Sequence, residues 1–297
     1  MASCRLTLTG GIAITTANVS GALAVYLTPA MGQTLPLFDG SDFVQENVGG
    51  ELMNVGSDAS YSPAAMAASS CYYNLLWKDG LTFRLSRSPA WLSDINPGTG
   101  AGTAEAELFG GHWVNKYAVT NGPAARRGLI VGGVRSNASA QMEDTSLRRC
   151  VSNTFNACPR LLRVTPASPT WNYATASWRF AENDPANVVD WFHAFDGSRA
   201  EINIQASARA DMVGSIPLIG IGFDGCLPSI LDTNGSIQSV AVANLNIPLR
   251  AASRKYCGLG RHYAGWYEYV TNGGTATYLS GAISGLYQSG LYGEVMN

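Results

Sequence analysis

Apolar and polar residues alternate with a period of two along several segments of the chain. The clearest segment is Glu201 to Arg209, in which every second residue is apolar, namely Ile202, Ile204, Ala206 and Ala208. This alternation is typical of a β-strand with one face in the core and one in water, and helical spacing cannot produce it. Further strand-like segments are Arg5 to Leu8, Ala22 to Thr28, Cys71 to Trp77, Leu81 to Leu85, Ile216 to Phe223 and Ile237 to Leu249.

Turn-forming residue pairs separate these segments at short intervals. The pairs are Asp39-Gly40, Asp79-Gly80, Asp196-Gly197, Asp224-Gly225 and Asn234-Gly235. Asp-Gly and Asn-Gly favour tight turns between antiparallel strands. Short strands with frequent turns predict a mainly β fold of the sandwich or jelly-roll type.

One segment has a helical pattern instead. Between Ala140 and Pro159 the residues Met142, Leu147, Cys150, Val151, Thr154 and Phe155 recur near one helical face, and the proline would end the helix. We therefore expect a short amphipathic helix that joins two β-sandwich or jelly-roll-like domains. The predicted organisation is an N-terminal β domain at 1–138, a helical connector at 139–159 and a C-terminal β-sandwich domain at 160–297.

Composition narrows the classes of protein and partner. The chain has 297 residues, of which 46% are hydrophobic and only 13% are charged, and its net charge is −2. Arginine and lysine are scattered in ones and twos, so we expect no nucleic-acid partner. The N-terminal sequence lacks the apolar core of a secretory signal, and no stretch approaches about 18 uninterrupted apolar residues, so we expect neither secretion by that route nor membrane insertion.

The cysteines and glycines offer little sign of cofactor chemistry. The six cysteines form no C-x-x-C pair, which predicts reduced, buried thiols and no bound metal. The glycine run Gly98 to Gly102 has a turn-forming cluster before it and a second Gly-Gly shortly after, whereas a nucleotide loop needs a strand before and a helix after. We expect a loop between two strands and no cofactor.

Candidate catalytic groups are few. The three histidines, His112, His193 and His262, accompany no nucleophile elbow, so each is expected to be a packed or surface residue. The most enzyme-like feature is an acidic cluster near aromatic residues, made of Glu182, Asp184, Asp190 and Asp196 with Trp178, Trp191 and Phe192. Paired carboxylates beside aromatic rings could cleave a polysaccharide. The alternative, which we favour, is a polar loop beside core aromatics, with no catalytic residue.

A set of short motifs resembles virion proteins of tailed bacteriophages, of the tail-fibre, spike or head-decoration type. In the first half these motifs are Ala24 to Pro29, Leu35 to Gly40, Tyr73 to Gly80, Ser88 to Trp91, Gly98 to Thr103, Trp113 to Lys116 and Asn121 to Ala124. In the second half they are Ser177 to Arg179, Gly260 to Tyr263, Trp266 to Tyr269, Gly273 to Thr277 and Gly290 to Gly293.

The resemblance implies a non-enzymatic structural or adsorption component of a phage particle, made in the host cytoplasm and located in the virion. Expected partners are other copies of the chain, as a homotrimer by analogy with phage fibres, other virion proteins and a host-surface glycan. Lysine occurs only at Lys78, Lys116 and Lys255, as suits a surface that is partly buried on assembly. The alternatives are a polysaccharide depolymerase that uses the acidic cluster and a soluble carbohydrate-binding module.

Overall fold

The computed structural model describes residues 4–229, 234–235, 242–271, 273–280 and 288–297. Within these ranges the protein is nearly all β, which confirms the predicted β class, and its one helical element is a 3-10 turn at Ala181–Asn183. The first strands are β1 (Cys4–Thr7), β2 (Val19–Ala22), β3 (Ala24–Pro29), β4 (Thr34–Phe38), β5 (Phe43–Asn47), β6 (Leu52–Val55), β7 (Cys71–Asp79), β8 (Thr82–Arg87), β9 (Ala106–Phe109), β10 (His112–Asn115), β11 (Leu129–Arg135), β12 (Met142–Asp144), β13 (Arg148–Arg149) and β14 (Val151–Asn153).

The remaining strands form most of the second half. They are β15 (Pro159–Val164), β16 (Thr170–Tyr173), β17 (Arg179–Phe180), β18 (Val188–His193), β19 (Ser198–Ala210), β20 (Pro217–Phe223), β21 (Asn234–Gly235), β22 (Ile247–Cys257), β23 (Gly260–Val270), β24 (Ala276–Leu279) and β25 (Gly290–Met296). All but one of the described strand pairings are antiparallel, the exception being β13 with β18. Antiparallel strands can be joined by short turns, in agreement with the turn signals in the sequence.

Five sheets make up the described structure. Their strand orders are β1-β3-β6, β4-β5, β8-β7-β11-β10-β9 with β14 beside β11, β17-β23-β18-β13-β12-β2 with β20 beside β23, and β15-β25-β19-β22-β21 with β24 beside β19 and β16 beside β24. One apolar cluster lies under the strands of the second half, around Trp191, Ile202 and Trp266. A second apolar cluster fills the first half, around Leu6, Leu27 and Leu76.

The period-two segment was predicted correctly. β19 contains the whole of Glu201 to Arg209, and its four apolar residues are buried while the polar residues between them are more exposed. Strands also cover most of the other predicted segments, at β1, β3, β7, β8 and β20. The segment Ile237 to Leu249 is described only from residue 242 onwards, where β22 begins at Ile247.

The amphipathic helix predicted at 140–159 was wrong. This segment contains β12, β13 and β14, and β15 begins at Pro159. A surface helix would have left Asp144 and Arg149 in water, but both are buried, and they form an ion pair with Nη1 and Oδ1 3.2 Å apart. Pairing with distant strands satisfies the backbone here, since β12 pairs with β2 and β13 pairs with β18. These tertiary contacts override the local helical spacing.

Two strands of the predicted connector, β12 and β13, belong to one sheet with strands from both sides of it. This sheet takes β2 from the first half and β18 and β23 from the second half. A third apolar cluster also contains residues from both halves, among them Trp91, Ile130 and Phe192. The connector is therefore part of a shared sheet, and the division into units at 138 and 160 stays a prediction.

Candidate functional site

The four carboxylates of the predicted acidic cluster each hold a different segment of the chain. Glu182 accepts hydrogen bonds from the backbone N–H groups of Ala167 and Ser168, at 2.8 and 2.7 Å. The Asp184 carboxylate accepts one from the backbone of Ala186, at 2.9 Å. These loop contacts are those of a polar turn.

The other two carboxylates are also engaged. Asp196 accepts a hydrogen bond from the backbone of Leu259, at 2.5 Å. The Asp190 side chain is buried and accepts two hydrogen bonds from Arg261, at 2.8 and 2.6 Å. Burial raises the pKa of Asp190 against the opposing effect of Arg261. All four groups thus serve to join parts of the fold.

The aromatic residues near this cluster are packing residues. Trp191 and Phe192 are fully buried in two of the apolar clusters. The ring of Trp178 lies against Tyr269, with ring centroids 5.2 Å apart. No open aromatic platform is formed by these three rings.

The three histidines have different surroundings. His112 packs on Phe43, with ring centroids 4.6 Å apart. The His262 ring lies between two acceptors, with Nδ1 3.1 Å from Asp224 Oδ2 and Nε2 3.0 Å from the carbonyl of Gly258. Burial lowers the pKa of His262, but these two hydrogen bonds outweigh it and the net shift is upward. Both nitrogens face acceptors and the protonated ring can donate to both, so neither nitrogen is free to act as a base.

His193 is 1% exposed, and its ring nitrogens make no hydrogen bond of normal geometry within the described residues. The pKa of His193 is lowered to about 4, chiefly by burial and also by the neighbouring His262, while the side chain of Asn297 opposes the shift. His193 is therefore a neutral core residue at pH 7.

The glycine run forms a loop between two strands, as predicted. Gly98, Gly100 and Gly102 have φ values of 88°, 95° and 85°, a backbone conformation that favours glycine. The amide of Gly100 donates a 2.6 Å hydrogen bond to Glu105, and the chain then enters β9. The Gly100 amide therefore already has its hydrogen-bond acceptor within the protein.

Cysteines and metal ligands give no further site. Four of the six cysteines are buried, whereas Cys158 is half-buried and Cys226 is exposed, and none forms a disulfide. Among the residues that the structure describes, no three histidine, cysteine or acidic side chains are grouped as metal ligands would be. In the same part of the chain, no helix has the length and apolar character needed to cross a membrane.

One broad sheet surface is left open to solvent. The strands β15, β25, β19 and β22 lie side by side, and we call their solvent-facing side the arginine face. It takes its name from five exposed arginines on alternate strand positions, Arg163, Arg199, Arg209, Arg250 and Arg254. Two tyrosines share the face, namely Tyr256, which is 77% exposed, and Tyr292.

Strand register brings these side chains together from distant parts of the sequence. Arg199 lies opposite Tyr256, and Arg254 lies opposite Glu201. Arg254 has an ion pair on this face, with its Nε 3.0 Å from Glu201 Oε2. Arg199, Arg209 and Arg250 form no ion pair within the described residues. The sequence contained part of this signal, since the period-two pattern of Glu201 to Arg209 places Arg209 on the side opposite the apolar residues.

The arginine face has a charge opposite to that of the rest of the protein. It carries five arginines against two glutamates, Glu201 and Glu294, while the whole chain has a net charge of −2. The remainder of the chain is therefore net negative. A positively charged face on a chain that is otherwise net negative favours contact between copies.

No protein-family model matches the chain, and no curated protein matches it. Among solved structures, a CocE/NonD family hydrolase from Staphylococcus aureus is 11% identical with a TM-score of 0.24. That match covers 48% of this chain and 37% of the hydrolase, so the chain spans little more than a third of that protein.

Two structures of infectious bursal disease virus also resemble the chain over 99% of its length. Its T=1 particles are 10% identical with a TM-score of 0.19, and 73% of that chain is covered. The Gx strain is 12% identical with a TM-score of 0.14, and 74% of that chain is covered. At such TM-scores none of these likenesses carries an argument about fold or function.

Proposed function

We propose that the protein is a non-enzymatic structural component of a tailed-bacteriophage particle that acts by assembly with copies of itself. It would reside in the virion as a tail-fibre, spike or head-decoration protein, built from two β-sandwich or jelly-roll-like units. Support for the phage setting comes from the sequence motifs. Support for assembly comes from the arginine face.

The arginine face is the observation that carries the proposal. Arginine is enriched in protein interfaces, as is tyrosine, and lysine is depleted. This face has five arginines and two tyrosines, while the neighbouring Lys255 of β22 is paired with Asp224. Contact between this face and a different, acidic surface of the next copy would be head-to-tail, and such contacts close into rings such as a trimer.

Sedimentation velocity and native mass spectrometry of the purified protein test self-association. We expect an oligomer that dissociates when NaCl is raised from about 50 to about 500 mM, because salt screens exposed charges. The double variant Arg199→Gln/Arg250→Gln should weaken association about tenfold or more. The matched control is Lys78→Gln/Arg126→Gln, which removes two exposed charges from the first half and should leave association unchanged.

A monomeric wild-type protein at about 100 µM, or equal association of the two double variants, would contradict assembly through this face. Location is tested separately by quantitative mass spectrometry of purified particles. A fixed copy number per particle is expected, and absence from particles would contradict the virion assignment.

The non-enzymatic part of the proposal has its own test. Purified protein is mixed with host polysaccharide, and new reducing ends are measured over time. Steady release that is lost in Asp184→Asn would establish a depolymerase instead. Asp184 is the informative choice because it is a loop residue, whereas replacing the buried Asp190 would leave Arg261 without its partner and disturb the fold.

A further inference from the structure

A cleft in the first half of the protein lies apart from the arginine face. It has a volume of about 270 Å³ and lies between β6, β8 and the loop at 56–64. Its apolar lining comes from Leu52, Met53, Val55, Phe83 and Leu85, and its polar lining from Asn54, Asp58, Tyr61 and Arg84. A partly apolar concave surface with a few fixed polar groups is the usual form of a small-ligand site.

The loop that forms one wall of the cleft is held by a buried arginine. Arg87 is fully buried, and its guanidinium donates to the Asn54 side chain and to the backbone carbonyls of Val55, Gly56, Asp58 and Ala64. A buried cation with so many acceptors ties the loop to β8 at several points. The wall is thus fixed before any ligand arrives, which lowers the entropy cost of binding.

The acceptor groups of the wall are already used. Oδ1 of Asp58 accepts from the backbone of Ser60 and Tyr61, at 3.0 and 3.2 Å. Its Oδ2 accepts from Ser62 at 2.7 Å and from Asn54 at 2.9 Å. The carboxylate that faces the cleft therefore has little capacity left for a ligand's donors.

The donors of Arg84 are free by comparison. Its guanidinium carbon lies over the Tyr61 ring, 4.0 Å from the ring centroid. Within the described residues its one ionic contact is with the half-exposed Asp79, at 3.6 Å from Nε. Nε itself is buried without a hydrogen bond, which leaves the two Nη groups as the donors for a ligand. Two Nη groups form a planar fork that matches a carboxylate.

The Asp58 carboxylate already accepts four hydrogen bonds, whereas Arg84 has donors left for a ligand. We therefore propose that this cleft binds a carboxylate attached to a ring with an apolar face. Arg84 would pair with the carboxylate, and Met53, Phe83 and Leu85 would contact the apolar face of the ring. Both a uronic acid unit of an acidic polysaccharide and a free cyclic carboxylate have this chemistry. The site does not depend on self-association through the arginine face.

Titration of the full chain with glucuronate at low salt tests the site, with binding measured by saturation-transfer NMR and calorimetry. We expect glucuronate to bind about tenfold or more tightly than glucose, because glucose lacks the charged acceptor. The Arg84→Gln variant should lose this preference. Arg126→Gln is the matched control, since Arg126 also lies over an aromatic ring, Phe109, at 4.5 Å, and it should bind as the wild-type protein does.

Two further probes distinguish the sources of the carboxylate. Cyclohexanecarboxylate that binds as tightly as glucuronate supports a free cyclic carboxylate, whereas tighter binding of a uronic acid oligomer supports a polysaccharide. No binding of any carboxylate at about 50 mM, equal binding of glucose, or equal loss in both arginine variants would overturn the proposal. Thermal unfolding of Arg84→Gln, followed by circular dichroism, confirms that a loss of binding does not reflect unfolding.

Discussion

Arg87 and His193 are both buried, yet the surroundings of one favour a cation and those of the other a neutral ring. Arg87 in the first half donates to five acceptors, although its Nε has no partner in the described structure. His193 in the second half is buried near His262 and Asn297, and burial lowers its pKa to about 4. The difference shows two solutions to one problem, since a buried polar group must either be satisfied or give up its charge.

The largest expected effect comes from removing the buried cation. Arg87→Met should lower the free energy of unfolding by about 3–5 kcal/mol, because five acceptors in the core lose their donor at once. Urea unfolding followed by circular dichroism measures the change. The exposed Arg126→Met should change stability by less than about 1 kcal/mol.

Arg87→Lys sharpens this test. Lysine keeps the charge but lacks the planar fork of donors, so it should recover only part of the loss. Equal stability of Arg87→Met and the wild-type protein would show that the loop at 56–64 is not held by the guanidinium. Arg87 would then no longer be an example of a buried cation that is stabilised by its hydrogen bonds.

The strand pattern of the second half was accessible from sequence, whereas the sites were not. β19 lies in an antiparallel sheet with one face in water, so burial alternates along it and leaves a period of two. Arg84 and Tyr61 are 23 positions apart, and only the pairing of β7 with β8 and the loop held by Arg87 bring them into contact. No local pattern encodes that contact.

In the connector, by contrast, the sequence pattern predicted the wrong secondary structure. Met142 and Val151 are buried as a helix face would be, but each lies on a strand three residues long. Strands that short carry no readable period. Their partners lie outside the segment, since β12 pairs with β2 and β14 pairs with β11, so the signal that decides the structure is not local.

Acid should destabilise the protein through His193. A histidine whose pKa is about 6.5 when unfolded and about 4 when folded binds its proton preferentially in the unfolded state. Stability therefore falls as the pH drops through this window, by about 2 kcal/mol at pH 5 and about 3 kcal/mol over the whole range. Urea unfolding of the wild-type protein and His193→Leu between pH 7 and 4.5 isolates this contribution.

The His193→Leu variant should show a shallower loss of stability in acid, because it has no group to protonate at that position. Buried carboxyl groups such as Asp190 and Glu268 titrate in both proteins and cancel in the difference. Parallel pH profiles for the two proteins would mean that His193 has a hydrogen-bond partner that stabilises its charged form. In that case His193, like Arg87, would be a buried group whose charged form is satisfied by hydrogen bonds.

The smallest expected effect comes from His262, whose contribution to stability falls as the pH rises, opposite to that of His193. Asp224 and the Gly258 carbonyl accept from both ring nitrogens, and only the protonated ring can donate to both, so the pKa is raised in the folded state. The stabilisation is fully present below pH about 6.5 and is lost as the pH rises through the folded-state pKa. His262→Gln should therefore cost about 0.5–1 kcal/mol more at pH 6 than at pH 8.5, since the ion pair with Asp224 is partly open to solvent. Urea unfolding at the two pH values measures this, and a cost that grows with pH would show that the neutral ring is the bound form.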